Sequence, residues 1–213
     1  AHGVCLLLWS RHDPKWNLSI MKPTLPLIAV FLLSTSVASA EPWKRHAIDD
    51  AYRGADGVRL GDFDGDGLMD ITTGWEESGI VRLYVNPGPE KCRSRWPAVT
   101  SAAAASPEDA VPVDLDGDGK LDAVSCHEGK QRQLLVHWNN SDQGKRGSTL
   151  DPSSWSTMPL TFADGVAWMY ALPVKSRSQG TMLAVGAKGK DASISLVIPS
   201  NRRPRDLKTW RMV

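Results

Sequence analysis

Asp62-Phe63-Asp64-Gly65-Asp66-Gly67-Leu68-Met69-Asp70 and Asp114-Leu115-Asp116-Gly117-Asp118-Gly119-Lys120-Leu121-Asp122 are two copies of one nine-residue pattern. Both carry carboxylates at positions one, three, five and nine and glycine at position six. Working outward, each copy lies inside a longer repeat. Trp43-Lys44-Arg45-His46-Ala47-Ile48 precedes the first, and Trp96-Pro97-Ala98-Val99 follows 53 residues later. Trp155-Ser156-Thr157-Met158 comes 59 residues after that, and Trp210-Arg211-Met212-Val213 a further 55 along. A small acidic signal follows the first three: Asp56-Gly57-Val58, Asp109-Ala110-Val111 and Asp164-Gly165-Val166. Landmarks recurring in one order at a period of about 55 residues mark a repeat architecture.

Between landmarks the chain reads as short strands divided by Gly, Asp, Asn and Pro. The first unit offers Val58–Leu60, Asp70–Thr73 and Ile80–Val85, and the second Val111–Val113, Asp122–Ser125 and Leu134–Trp138. The third offers Ala171–Val174, Met182–Val185 and Ile194–Ile198. Only Ala102–Ala105 looks helix-friendly, and it is too short to propagate a helix. With the stretch after each Trp, four strands per unit result, the pattern of a propeller blade. A sandwich of short strands is the rival, but it does not explain the recurring order. The expected fold is all-β, an incomplete β-propeller of four-stranded blades. Its repeats run over about 43–95, 96–154 and 155–209, with the start of a fourth at 210. A ring needs at least about four blades, so the chain reads as a fragment of one.

The nine-residue loops carry the chemistry. Alternating carboxylates on a tight loop converge on one point, and hard oxygen donors in that number suit Ca²⁺, which takes six to eight oxygens. Asp62, Asp64, Asp66 and Asp70 form one expected site, and Asp114, Asp116, Asp118 and Asp122 a second. The backbone carbonyls of Leu68 and Lys120, at position seven, complete the two cages. A single Asp-Gly stretch is commonly a polar turn, but two copies at equivalent places are hard to read that way. An EF-hand requires a bidentate Glu at position twelve and flanking helices. Position twelve is Thr73 or Ser125 here, and the flanks are strand-like.

These loops, with their period and the hydrophobic residues after the last Asp, resemble FG-GAP or VCBS-type repeats, the calcium-loop blades of integrin α-subunits and many exported bacterial proteins. The resemblance covers Trp43 to the C-terminus. It implies Ca²⁺ held by the loop carboxylates and a surface used for adhesion or ligand binding. The third unit departs from the pattern: Lys175, Arg177 and Gln179 stand opposite Asp114, Asp116 and Asp118, and Leu183 replaces the last carboxylate. Cations there disfavour a metal, so two calcium sites are expected, not three.

Composition narrows the remaining classes. The chain has 41% hydrophobic and 23% charged residues and a net charge of +1, ordinary for a soluble domain and without the basic excess of a nucleic-acid binder. Met21-Lys22, the apolar run Leu25–Leu33 and Ala38-Ser39-Ala40 make residues 21–40 a signal peptide, too short for a membrane anchor. The protein is thus expected to be exported, periplasmic or extracellular, and residues 1–20 read as upstream non-native sequence. Cys92 and Cys126 match no zinc or redox spacing, and their pairing stays open.

His46, His127 and His137 show no nucleophile at a known spacing. Trp75-Glu76-Glu77 and His127-Glu128 fall in matching turns; they either line a ligand surface or are a core Trp beside solvated acids. The first expectation is a binding or adhesion module for a protein or carbohydrate ligand. The alternatives are the front of a secreted propeller enzyme such as a polysaccharide lyase, or a non-functional truncated product.

Overall fold

A computed structural model describes residues 43–142, 145 and 147–213, so the expected leader and the segment ahead of it lie outside the described residues. Arg45–Val213 form one compact unit. Its strands are β1 (Ala55–Gly61), β2 (Asp70–Trp75), β3 (Ile80–Tyr84), β4 (Ala98–Ala103), β5 (Pro107–Val113) and β6 (Asp122–His127), followed by β7 (Leu134–Asn139), β8 (Trp155–Pro159), β9 (Ala167–Ser176), β10 (Gly180–Lys188), β11 (Ser193–Ile198) and β12 (Arg211–Met212). They pair as three antiparallel meanders, β1-β2-β3-β4, β5-β6-β7-β8 and β9-β10-β11-β12. Of the expected strands, the stretch after Trp43 forms none, because Trp43 is exposed and residues 43–48 pair with no sheet edge; every other one falls within these strands, except that β3 stops one residue earlier. The first strand of each sheet is innermost: β1 packs on β5, and β5 on β9. The three sheets do not close on themselves, and the arrangement is that of an incomplete propeller.

The sheets are out of step with the sequence repeat by one strand. The strands after Trp96, Trp155 and Trp210 are each hydrogen-bonded to the sheet before them: β4 pairs with β3, β8 with β7 and β12 with β11. Trp210 and the residues after it therefore complete the third sheet rather than begin a fourth. The indoles of these three landmarks share one role, whereas that of Trp43 is exposed. Trp96 Nε1 donates to the Cys92 carbonyl, Trp155 Nε1 to that of Thr149 and Trp210 Nε1 to that of Pro204, at 3.0, 2.9 and 2.7 Å. Each staples the loop that leads into its fourth strand. Ala102 and Ala103 are strand, because pairing with Val81 and Ile80 outweighs the local preference of alanine.

Two interfaces bury the core. Phe63, Leu83, Val99 and Trp155 fill the space between the first and second sheets. Val124, Leu134, Val136 and Trp138 of the second meet Trp168, Leu183, Val185 and Val197 of the third. The first interface is tight enough to demand glycine at Gly74, where a Cβ would lie 2.4 Å from the Pro107 carbonyl oxygen. Asp109, fully buried on β5, ties the three inner strands together. It accepts Arg59 Nε and Nη2 of β1 at 2.9 and 2.7 Å, and the Ala171 N–H of β9 at 3.2 Å.

Candidate metal centre

Both nine-residue loops connect the first strand of a sheet to the second, so they lie side by side at the same end of adjacent sheets. Their internal hydrogen bonds are the same. In the first, Asp62 accepts the N–H groups of Gly65 and Gly67 at 2.8 and 3.0 Å, Asp64 that of Asp66 at 3.2 Å and Asp66 that of Leu68 at 2.8 Å. In the second, Asp114 accepts Gly117 and Gly119 at 2.7 and 3.2 Å, Asp116 accepts Asp118 at 3.1 Å, and Asp118 accepts Lys120 at 2.9 Å. The glycines at positions four and six have φ of 77° and 86° in one loop, and 77° and 85° in the other. That left-handed region strains any residue with a Cβ.

The position-nine carboxylates are buried braces. Asp70 accepts the N–H groups of Phe63 and Asn86, both at 2.8 Å, and Asp122 those of Leu115 and Asn139 at 3.2 and 2.9 Å. Burial pushes the Asp70 carboxyl up to about 6, against the two N–H bonds and with help from Asp64 and Asp62. Asp122 is pushed up to about 7 by burial, with Asp116 and Asp118 adding to it. Asp64 is raised likewise, by burial first and then by Asp66 and Asp62. Crowded carboxylates that resist ionisation are a site short of positive charge.

Carboxylate oxygens of Asp62, Asp64 and Asp66 lie within 4.8 Å of one another, as do those of Asp114, Asp116 and Asp122. The trios differ: the position-five carboxylate joins the first and is missing from the second. Asp118 is drawn instead to Lys120 Nζ, 3.0 Å away, and to Arg205 Nη2 at 3.8 Å. Although burial opposes it, these bonds and charges hold its carboxyl below the usual range. Asp116 pairs with Arg205 Nε at 2.5 Å. Leu68, partly exposed, stands where Lys120 does. In the third sheet the eight-residue connection shrinks to Arg177–Gln179, and β9 and β10 remain paired out to Ser176 and Gly180. Lys175, Arg177 and Gln179 occupy the strand end and the turn, where the Ser176 hydroxyl accepts the Ser178 and Gln179 N–H groups, both at 3.3 Å. Leu183 is fully buried in the core.

Sequence reasoning missed Asn86 and Asn139. Each donates its backbone N–H to the position-nine carboxylate and its side-chain amide, at 3.0 Å, to the position-eight carbonyl, Met69 or Leu121. Their signal was an Asn at or just past the end of both third strands. It also missed a buried chain in the second sheet. Ser125 Oγ lies 2.6 Å from His127 Nε2 and 2.7 Å from His137 Nε2. His127 Nδ1 meets the Ala105 carbonyl and His137 Nδ1 meets Thr157 Oγ1, both at 2.8 Å. The carbonyl can only accept, so His127 carries its proton on Nδ1, and Ser125 donates to Nε2. Ser125 then accepts from His137 Nε2–H, and Thr157 donates to His137 Nδ1. Both imidazoles are fully buried, and burial lowers the pKa of each, which favours the neutral forms that this chain of bonds requires.

Trp75 is a core residue, bonding Tyr84 Oη at 2.8 Å, while Glu76, Glu108 and Glu128 converge at the other end of the sheets, with Lys188 paired to Glu128. Cys92 and Cys126 are both free thiols. Among the described residues no helix is long and apolar enough to cross a membrane.

Two loops of one design, one sheet apart, are the repeat unit that a family comparison can recognise. Residues 62–125 match the FG-GAP-like repeat. The matched FG-GAP-like segment begins on the first carboxylate of the first loop, spans the whole second loop and ends in β6. No curated protein and no solved structure matches the chain.

Proposed function

We propose that this propeller-like chain is an exported interaction module that holds one Ca²⁺ in each of its two carboxylate loops and presents a surface to a protein or carbohydrate ligand. The observation that carries the reading is the duplicated loop, with the same residues, the same internal hydrogen bonds and the same place in successive sheets. The donor set fits the ion: all oxygen, and hard. Two oxygens on one Ca²⁺ lie no more than about 5 Å apart, given bonds of about 2.3–2.6 Å, and each trio spans 4.8 Å. Asp62, Asp64, Asp66 and the Leu68 carbonyl would hold the first ion, with Asp70 as brace. Asp114, Asp116, Asp118, Asp122 and the Lys120 carbonyl would hold the second. A bound cation supplies the positive charge that the crowded carboxylates lack and cross-links the loop to its strands.

Calcium titration of the chain by calorimetry, with Asp66→Ala and Asp118→Ala alongside, tests this reading. Two binding events, each lost with its own variant and each raising the melting temperature, are expected. Absence of binding heat together with an unchanged melting temperature in excess Ca²⁺ would refute it.

A further inference from the structure

The second loop already holds a cation of its own. Arg205, from the connection between β11 and β12, places Nε 2.5 Å from Asp116 Oδ2 and Nη2 3.8 Å from Asp118 Oδ2. Its Nη1 donates to Asn140 Oδ1 at 2.7 Å, and the guanidinium lies 5.1 Å from the Trp138 ring centroid. The Asp116 side chain is only 8% exposed, so this is a seated pair rather than a surface encounter. Charge on the larger scale agrees. Residues 167–213 contain nine Lys or Arg and two Asp, whereas residues 107–166 contain five Lys or Arg and ten Asp or Glu. Among the described residues, no ion pair reaches Asp62, Asp64, Asp66 or Asp70 in the first loop.

We propose that Arg205 is a tethered counter-ion of the second loop, which a divalent cation must displace from Asp116 and Asp118. This rests on the cation-loop reading given above. Two consequences follow from charge and geometry. The first loop binds its cation more tightly, since nothing has to leave. Loading the second loop frees the Arg205 end of the β11–β12 connection from the loop carboxylates, while Leu207 and Trp210 of that connection stay packed against the second sheet. The metal state of one blade is thereby passed to the next. Trp138 reports the event: it lies under the guanidinium and meets Trp210 edge-on at 6.3 Å.

The test is Ca²⁺ titration of the chain by calorimetry and by tryptophan emission, for the wild type, Arg205→Ala and Arg205→Lys. The wild type is expected to show two unequal sites, with Asp118→Ala removing the weaker. Arg205→Ala should tighten the weaker site roughly five- to tenfold, the scale of one partly buried ion pair, and leave the tighter one unchanged. The emission change that accompanies the second event should disappear with it. Arg205→Lys, which keeps the charge but loses the forked geometry, should fall between the two. Unchanged affinity at the weaker site in Arg205→Ala would overturn the inference and leave the cation loops standing. Loss of the weaker site in that variant would also overturn it, showing that Arg205 builds the loop rather than blocks it. No binding at either loop in any variant would take down the cation reading and this inference together.

Discussion

The first two sheets and the third reach the same four-stranded meander by different turns. In the first two, an eight-residue loop with three carboxylates leads from the first strand to the second, and a buried Asp that opens the second strand fastens two backbone N–H groups. In the third, three residues suffice, Leu183 stands where that Asp would be, and added ladder pairs from Val174↔Met182 to Ser176↔Gly180 serve in place of the loop. A blade therefore does not need the carboxylate loop in order to form. The loops are an addition to the fold, which is why their chemistry is best explained by function.

The largest break in this comparison should come from the braces. Asp122→Ala strands the Leu115 and Asn139 N–H groups, and Asp70→Ala strands those of Phe63 and Asn86. At about 1–3 kcal/mol per stranded buried donor, each variant should lose about 3 kcal/mol in metal-free buffer, read from denaturant midpoints. A loss below about 1 kcal/mol would mean that the loops do not brace their sheets.

A smaller effect separates the closed interface from the open face. Gly74→Ala drives a Cβ against the Pro107 carbonyl and should cost about 1–3 kcal/mol. Gly186→Ala in the third sheet meets nothing within 4 Å, and there the change should be neutral or slightly stabilising. Equal effects in thermal melts of the two variants would contradict the packing described for Gly74.

Acid, a graded probe that needs no substitution, distinguishes the second sheet from the first. The positions filled by His127 and His137 hold Trp75 and Tyr84 in the first sheet, neither of which gains charge on acidification. Burial holds His137 down to about 3, with the neighbouring His127 adding to it, and burial lowers His127 as well. Below their ordinary 6.5, the unfolded chain takes up protons that the folded chain refuses. Stability is therefore fully present above that value and declines as pH falls toward 3, by up to about 1.4 kcal/mol per pH unit for His137. Amide exchange in β6 and β7 should rise before that in β2 and β3. The reverse order would show that the histidine chain is not the acid-weak point.

Much of this was legible beforehand. The strands announced themselves through apolar runs between Gly and Asp, and the loops through carboxylate spacing. The repeat was visible too, but its phase was not: Trp96 and Trp155 look like openings, yet hydrogen bonding makes their strands closings. Of the three acidic signals, Asp109 alone proved to be the buried tie between inner strands, while Asp164 is exposed. Nothing in their local sequence distinguishes them, because the partners are Arg59 and Ala171, 50 and 62 residues away.

By itself the sequence determined the turns of the two carboxylate loops, since the hydrogen bonds of positions one to seven run between residues two to five apart and their glycines are needed for local backbone reasons alone. Tertiary structure alone decided which strand closes which sheet, that Ser125 would lie between two buried histidines, and that Arg205 would reach Asp116 across 89 residues. Short-range geometry follows from residue type and spacing. Pairings across a whole blade depend on which surfaces the chain buries together, and no local pattern encodes that.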